Sequence, residues 1–210
     1  MTERWLVWKS VQCVARILST VLFDLKVYGL ENIPRRGGAL IVCNHQSFLD
    51  PIVMNVRLRR PLSYIAKAEL FENAFMDWLL RSVGAFPVRQ GSGDVGAVRQ
   101  SIRRLREGRL LNLFPEGART PDGEIGRIEK GVALIDRRAH VPVVPAVIVG
   151  AYQAWPCNRT LPCPWPVRIV FGPPMNLADL DPDEIVQKVD GTLRGMFHEL
   201  RGNGNGNPRR

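Results

Sequence analysis

Short, uninterrupted apolar runs punctuate this chain, and segments of helical periodicity lie between them. Ala39-Leu40-Ile41-Val42-Cys43 is one such run, and others recur at Leu62–Ile65, Ala85–Val88, Leu110–Phe114, Val143–Val149 and Val167–Phe171. Runs of this length without polar alternation predict strands buried on both faces. Leu25 to Leu30 alternates apolar and polar residues and predicts a half-exposed strand, followed by a turn over Pro34–Gly38. Asp94–Glu107 places Val95, Val98, Ile102 and Leu105 on one helical face, with Gly108 positioned to end the helix. Arg127–Arg138 is a second helical segment. Asp181-Pro182-Asp183-Glu184 supplies an N-cap, a proline at the first helical position and a carboxylate at the third. It opens a helix carrying Ile185, Val189, Leu193, Met196 and Leu200 along one side. Buried strands alternating with helices predict an α/β fold whose sheet is covered on both faces.

The amino-terminal segment follows a different pattern. Trp5 to Phe23 is apolar but interrupted by Lys9, Gln12 and Arg16, which continue through Ser19 and Thr20 as one polar stripe on a helix. Trp5, Trp8, Val11, Val14, Leu18, Val21 and Leu22 occupy the other faces. A spanning helix needs about 20 mostly apolar residues, and a central arginine is costly there. The pattern therefore favours a helix lying in a membrane interface, with a helix packed on the protein's own core as the alternative.

Composition changes the picture mainly through charge. The 210 residues carry a net charge of +9, which suits an anionic membrane, a phosphorylated small molecule or nucleic acid as partner. Arg57-Leu58-Arg59-Arg60 and Arg103-Arg104-Leu105-Arg106 supply much of it, although either run taken singly reads as a solvated face. Cys13 and Cys43 lie in apolar segments and read as buried thiols. Cys157 and Cys163 flank a proline-rich loop without a histidine pair, so zinc spacing is absent, and a reducing compartment is expected in place of a disulfide. No cleavable signal peptide is evident at the amino terminus.

Chemistry concentrates just after two of the apolar runs. Asn44-His45-Gln46-Ser47-Phe48-Leu49-Asp50 follows the first, and Phe114-Pro115-Glu116-Gly117-Ala118-Arg119 follows Leu110–Leu113. In α/β folds, sites lie where strands end and loops lead into helices. On one continuous helix His45 and Asp50 would diverge by about 140°, so the pair is useful only if His45 lies in the loop and folds back. The carboxylate can then fix the imidazole tautomer and leave the other nitrogen free to take a proton. An ordinary loop histidine near a capping carboxylate is the competing reading. Arg119 offers a planar fork suited to phosphate, Glu116 can accept from hydroxyls, and Gly117 permits close approach of a ligand. A strand-end turn with a surface ion pair is the alternative there. Arg89 ends a third run, Gly84–Val88, and would add a cation to the same rim.

These segments resemble the lysophosphatidic acid acyltransferase family of glycerolipid acyltransferases. His45 and Asp50 match its His-x4-Asp motif, Gly84–Arg89 resembles its second block, Phe114–Arg119 its third, and Val141–Ala146 its fourth. Lys67-Ala68-Glu69-Leu70 and Lys130-Gly131 also fall where members have similar residues. The blocks occur in family order and cover about residues 25 to 175. Ala118 departs from the usual Thr or Ser of the third block, and the chain is shorter than many members.

The resemblance implies a mixed, largely parallel sheet flanked by helices. It divides the chain into an amphipathic membrane-association helix over 1–24, an acyltransferase domain over 25–201 and a disordered Gly/Asn-rich tail over 202–210. It implies acyl transfer from acyl-CoA or acyl-carrier protein to a lysophospholipid hydroxyl, foremost that of 1-acylglycerol-3-phosphate. His45 is then the general base and Asp50 its orienting carboxylate, with no covalent acyl-enzyme. Glu116, Gly117 and Arg119, with Arg89 and Lys67, are implied to hold the glycerol phosphate. No metal or organic cofactor and no nucleic acid are implied, and the protein is expected at the cytoplasmic side of a membrane, peripheral or monotopic. A different lysolipid acceptor, a transacylase reaction, or a non-enzymatic basic lipid- or nucleic-acid-binding module are the other readings.

Overall fold

The buried strands are Ala39–Cys43 (β2), Leu62–Lys67 (β3), Ala85–Val88 (β4), Leu110–Leu113 (β5) and Val143–Val149 (β6), joined at one edge by Lys26–Tyr28 (β1) and Arg168–Phe171 (β7). They form a single sheet in the order β1-β7-β6-β2-β5-β3-β4. β2 pairs in parallel with β5 and with β6, and β3 pairs in parallel with β5 and with β4. Only the β6–β7 pair is antiparallel. This computed structural model describes residues 3–82, 84–88 and 95–202, with the backbone alone for residues 3–7, 67, 79 and 82.

Helices cover both faces. On one face, Val53 and Met54 of α2 (Asp50–Asn55), the end of α1 (Glu3–Phe23) and α6 (Ala151–Ala154) pack against Ile41, Cys43, Leu62, Leu110 and Ile148. Leu80 of α3 (Ala74–Ser82) joins that layer from its rim. On the other face, α4 (Val95–Arg106), α5 (Gly131–Ala139) and α7 (Pro182–Gly202) bury Leu105, Val132, Ile135, Ile185, Val189, Leu193 and Phe197 against Leu40, Val42, Leu111 and Val147. Strands sandwiched this way have no polar face, which is why their runs are continuous.

Several boundaries shift for identifiable reasons. The first strand stops at Tyr28, because Gly29 adopts φ 73° and turns the chain into a 3-10 turn over Leu30–Asn32. The helix expected from Arg127 begins at Gly131, because the preceding segment is tied elsewhere: the Glu129 amide donates to the Pro115 carbonyl at 2.8 Å. α2 and α3, of six and nine residues, are too short to show a sustained helical period. Gly202 is the last helical residue of α7, and the rest of the tail expected to be disordered lies outside the described residues.

The orientation of α1 divides the expected polar stripe between two sides, with Arg16 and Thr20 exposed. Trp8, Ser19 and Phe23 are buried, and Ala15 packs on the core beside them. Gln12 also faces inward, donating through Nε2 to the Asn55 and Leu58 carbonyls at 2.7 and 2.8 Å. Those carbonyls lie at the carboxyl end of α2, where helical partners run out. Two of the polar residues therefore face the protein, while Val14, Ile17, Leu18, Val21 and Leu22 face outward. Among the described residues no helix is long and apolar enough to cross a membrane.

A close approach joins α4 to the start of β2. A Cβ on Gly38 would sit 2.0 Å from the Leu105 carbonyl oxygen, a backbone atom that cannot swing aside. Gly38→Ala should therefore destabilise the fold by about 1–3 kcal/mol, the usual cost of forcing extra volume into a packed contact. Thermal unfolding of the variant measures this.

Candidate active site

The chain leaves β2 toward the face covered by α2 and leaves the adjacent β5 toward the face covered by α5. Diverging connections at neighbouring carboxyl ends open a crevice, the usual ligand site of such sheets. Both motif segments lie at this edge.

Asn44 closes the strand. Its Nδ2 donates to the Ile148 carbonyl at 3.0 Å and its Oδ1 accepts from the Ile148 amide at 2.8 Å, so a side chain extends the β2–β6 ladder while the backbone turns away. The next three residues wrap around one carboxylate oxygen. Asp50 Oδ2 lies 2.8 Å from His45 Nδ1 and accepts the backbone N–H groups of Gln46 at 2.6 Å and Ser47 at 2.8 Å. Asp50 is fully buried in the first turn of α2. His45 is thus in the loop and folded back, as the pairing requires. An oxygen already accepting two amide protons takes the imidazole as a donor, which places the proton on Nδ1 and leaves the Nε2 lone pair available. The imidazole stacks on Phe114, with centroids 3.9 Å apart and planes 12° apart, so its tilt is fixed as well.

The His45 backbone is held from the β5 side. Its amide donates to Glu116 Oε1 at 2.7 Å, and its carbonyl accepts from the Thr120 amide at 2.9 Å. Glu116 Oε2 accepts from the Gly126 amide at 2.7 Å. Both carboxylate oxygens therefore meet backbone donors. Burial pushes the Glu116 carboxyl above its ordinary value, opposed by those two amide donors. Gln46 Nε2 donates to the Gly123 carbonyl at 2.7 Å, and Ser47 Oγ donates to the Trp155 carbonyl at 2.6 Å.

Arg119 lays its guanidinium on the Phe48 ring, 3.6 Å from the centroid, and Phe48 in turn leans on Trp155. Arg119 Nη1 is buried without a hydrogen-bond partner. An unsatisfied guanidinium donor at a strand-end crevice suits an oxyanion. Gly117 has φ 70°, a conformation that favours glycine, and a Cβ there would meet no atom within 4 Å, so the space beside it is open. Ala118 is exposed and offers no hydroxyl. Lys67 ends β3 at the same edge of the sheet, with its side chain outside the described residues, and Arg89 lies wholly outside them. Asn44, Gln46, Ser47, Phe114 and Thr120 were not singled out from sequence. Their roles run through backbone groups and ring stacking, which residue types alone do not display. Among the described residues no cluster of three or more His, Cys, Asp or Glu side chains could hold a metal ion.

Asp50→Asn should lower kcat by about a thousandfold or more, since an orienting amide no longer stabilises the protonated imidazole. Steady-state acyl-transfer rates check this. Glu116 sets a pH dependence of stability. With its carboxyl raised, the folded state holds a proton that the unfolded chain has lost, so its contribution to stability falls as pH climbs above the ordinary glutamate value. Melting temperatures of the parent minus those of Glu116→Gln should decline across that window.

The Acyltransferase family model matches residues 24–149. The 1-acyl-sn-glycerol-3-phosphate acyltransferase of Bacillus subtilis (strain 168) is 30% identical over 165 residues, covering 78% of this chain and 80% of that protein. The enzyme of the same name from Pseudomonas aeruginosa is 26% identical over 187 residues, covering 88% of this chain and 69% of that one. The crystal structure of the 1-acyl-sn-glycerophosphate (LPA) acyltransferase PlsC from Thermotoga maritima superposes with a TM-score of 0.84 at 29% identity, covering 94% of this chain and 81% of that one. With this sheet, this His45–Asp50 pair and these relatives, the chain belongs to the 1-acyl-sn-glycerol-3-phosphate acyltransferase family.

Proposed function

We propose that this acyltransferase moves a fatty acyl chain from a thioester, acyl-CoA or acyl-carrier protein, to the free hydroxyl of 1-acylglycerol-3-phosphate, giving phosphatidic acid. The observation that carries the reading is the imidazole fixed by Asp50 on one side with Nε2 left available on the other. The acceptor hydroxyl gives its proton to Nε2 as its oxygen attacks the thioester carbonyl. Asp50 stabilises the resulting imidazolium. The tetrahedral intermediate then collapses, the carbon–sulfur bond breaks, and the imidazolium returns its proton to the departing thiolate. No protein nucleophile is needed.

Arg119, with an unpartnered Nη1 and a guanidinium held flat by Phe48, receives the acceptor's phosphate, and Gly117 leaves room for it. Lys67 and Arg89 are proposed as further cations on the phosphate. Glu116 acts through the His45 backbone and positions the base. The acceptor identity is drawn from the relatives' names, and Ala118 is the residue that leaves another lysolipid open.

The substrate is a membrane lipid, and the α1 layer suits a bilayer. Val14, Ile17, Leu18 and Val21 of α1, Ile52 of α2, Phe75 and Trp78 of α3, and Phe48 at the crevice are all exposed. An apolar surface of this kind rimming a site marks a membrane or partner contact. The protein is proposed to lie on the cytoplasmic face of the membrane, peripheral or monotopic, with the α1 layer and the Phe48 side of the crevice toward the lipid.

A mass-spectrometric acyl-transfer assay over a panel of lysolipids tests the acceptor. Transfer to lysophosphatidate is expected; transfer only to another lysolipid would move the acceptor and leave the chemistry standing. Arg119→Ala should raise KM for lysophosphatidate about 10- to 100-fold, the worth of a hydrogen bond to a charged group. Ile17→Glu with Val21→Glu should weaken vesicle binding at least about tenfold, because burying each aliphatic side chain is worth about 1.5–3 kcal/mol. Vesicle co-sedimentation measures that loss.

A further inference from the structure

On the face of the sheet opposite α1, the outside of α4 is basic. Arg99, Arg103 and Arg106 fall at four- and three-residue spacings along α4 and form one exposed stripe. Arg138 from the last turn of α5 stands beside it, where Arg106 donates to the Arg138 carbonyl at 2.5 Å. Together with Val95, Ile102 and Glu107 these residues line a groove of about 540 Å³. Glu107 is its one carboxylate among the described residues, and it is already shared between Arg103 at 3.7 Å and Arg109 at 3.1 Å. The catalytic reading uses none of these arginines.

Two features indicate what the groove takes. The exposed apolar side chains of α1 and α2 belong to the other helical layer, so a bilayer against them cannot touch α4. Two helix diameters, about 20 Å, separate the outer surfaces, which exceeds the Debye length of about 8 Å at physiological salt. Its partner therefore comes from the aqueous side. The stripe from Arg99 to Arg106 also climbs about 10 Å along the helix, with Arg138 giving it width, which suits an extended acidic surface better than one compact headgroup. α4 runs back from the carboxyl end of β4 to the amino end of β5, so its Val95 end is nearest the catalytic edge.

We propose that the α4 stripe docks an acidic acyl-carrier protein, which presents its thioester to His45 from the water-facing side. This rests on the acyl-transfer reading above and adds the donor and its docking surface. The test compares donors in one protein: initial rates with acyl-carrier protein and with acyl-CoA, for the parent, Arg99→Glu with Arg103→Glu, and the neutral pair Arg99→Gln with Arg103→Gln. Reversal should raise KM for the acyl-carrier protein at least about tenfold, neutralisation should raise it less, and added salt should weaken the parent toward the variants. Rates with acyl-CoA should stay within about twofold, which also shows that the variants are folded. Unchanged KM for the carrier protein, equal loss with both donors, or a parent that accepts acyl-CoA alone would each overturn the docking surface. Absence of transfer from either donor by the parent would instead overturn the acyl-transfer reading on which it rests.

Discussion

A single buried oxygen, Oδ2 of Asp50, organises the catalytic edge of this protein. Burying a carboxylate is costly unless hydrogen bonds replace its hydration. Here the imidazole of His45 and the amides of Gln46 and Ser47 all meet Oδ2, while Oδ1 is buried without a partner, so the loop must curl around the start of α2. That curl puts His45 in the crevice instead of on a helix face. The same contact sets the tautomer, so the fold and the proposed chemistry depend on one interaction. Glu116 repeats the principle from β5 by accepting the amides of His45 and Gly126, so two adjacent strand ends are tied through one histidine backbone.

What was legible in the sequence follows from which groups do the work. The strands were readable because both of their faces are buried, which demands continuous apolar runs. α4 and α7 were readable because each buries one stripe. α3 was not, since Phe75 and Trp78 point outward and its apolar residues do not report the core. The polar stripe of α1 did not reveal which way it faces, because Gln12 finds carbonyls at the end of α2 and is satisfied while facing inward. At the site, side-chain partners such as His45 and Asp50 could be paired by type. Glu116 could not be given its bond to a backbone amide, because every residue but proline carries one and the sequence does not mark which is exposed to a carboxylate.

The two helical layers divide the remaining tasks. One layer carries aliphatic and aromatic side chains on its outside and holds Phe48 and Ile52 beside the crevice. The other carries arginines along α4 and α5. The proposed transfer from a water-borne thioester to a membrane lipid would need access from both sides, and the crevice at the carboxyl ends of β2 and β5 lies between the layers. The net charge of +9, uninformative as a total, becomes interpretable once Arg119 is placed at the crevice and the α4 stripe on the far side.

The tautomer of His45 is the most direct measure of whether Asp50 prepares a base. The chain has three histidines, so 15N-histidine labelling with assignment through a His45→Gln variant resolves it. The neutral His45 ring should carry its proton on Nδ1 with Nε2 unprotonated, and Asp50→Asn should abolish that preference. A ring protonated on Nε2, or one unchanged by Asp50→Asn, would contradict an Asp50-oriented base at His45.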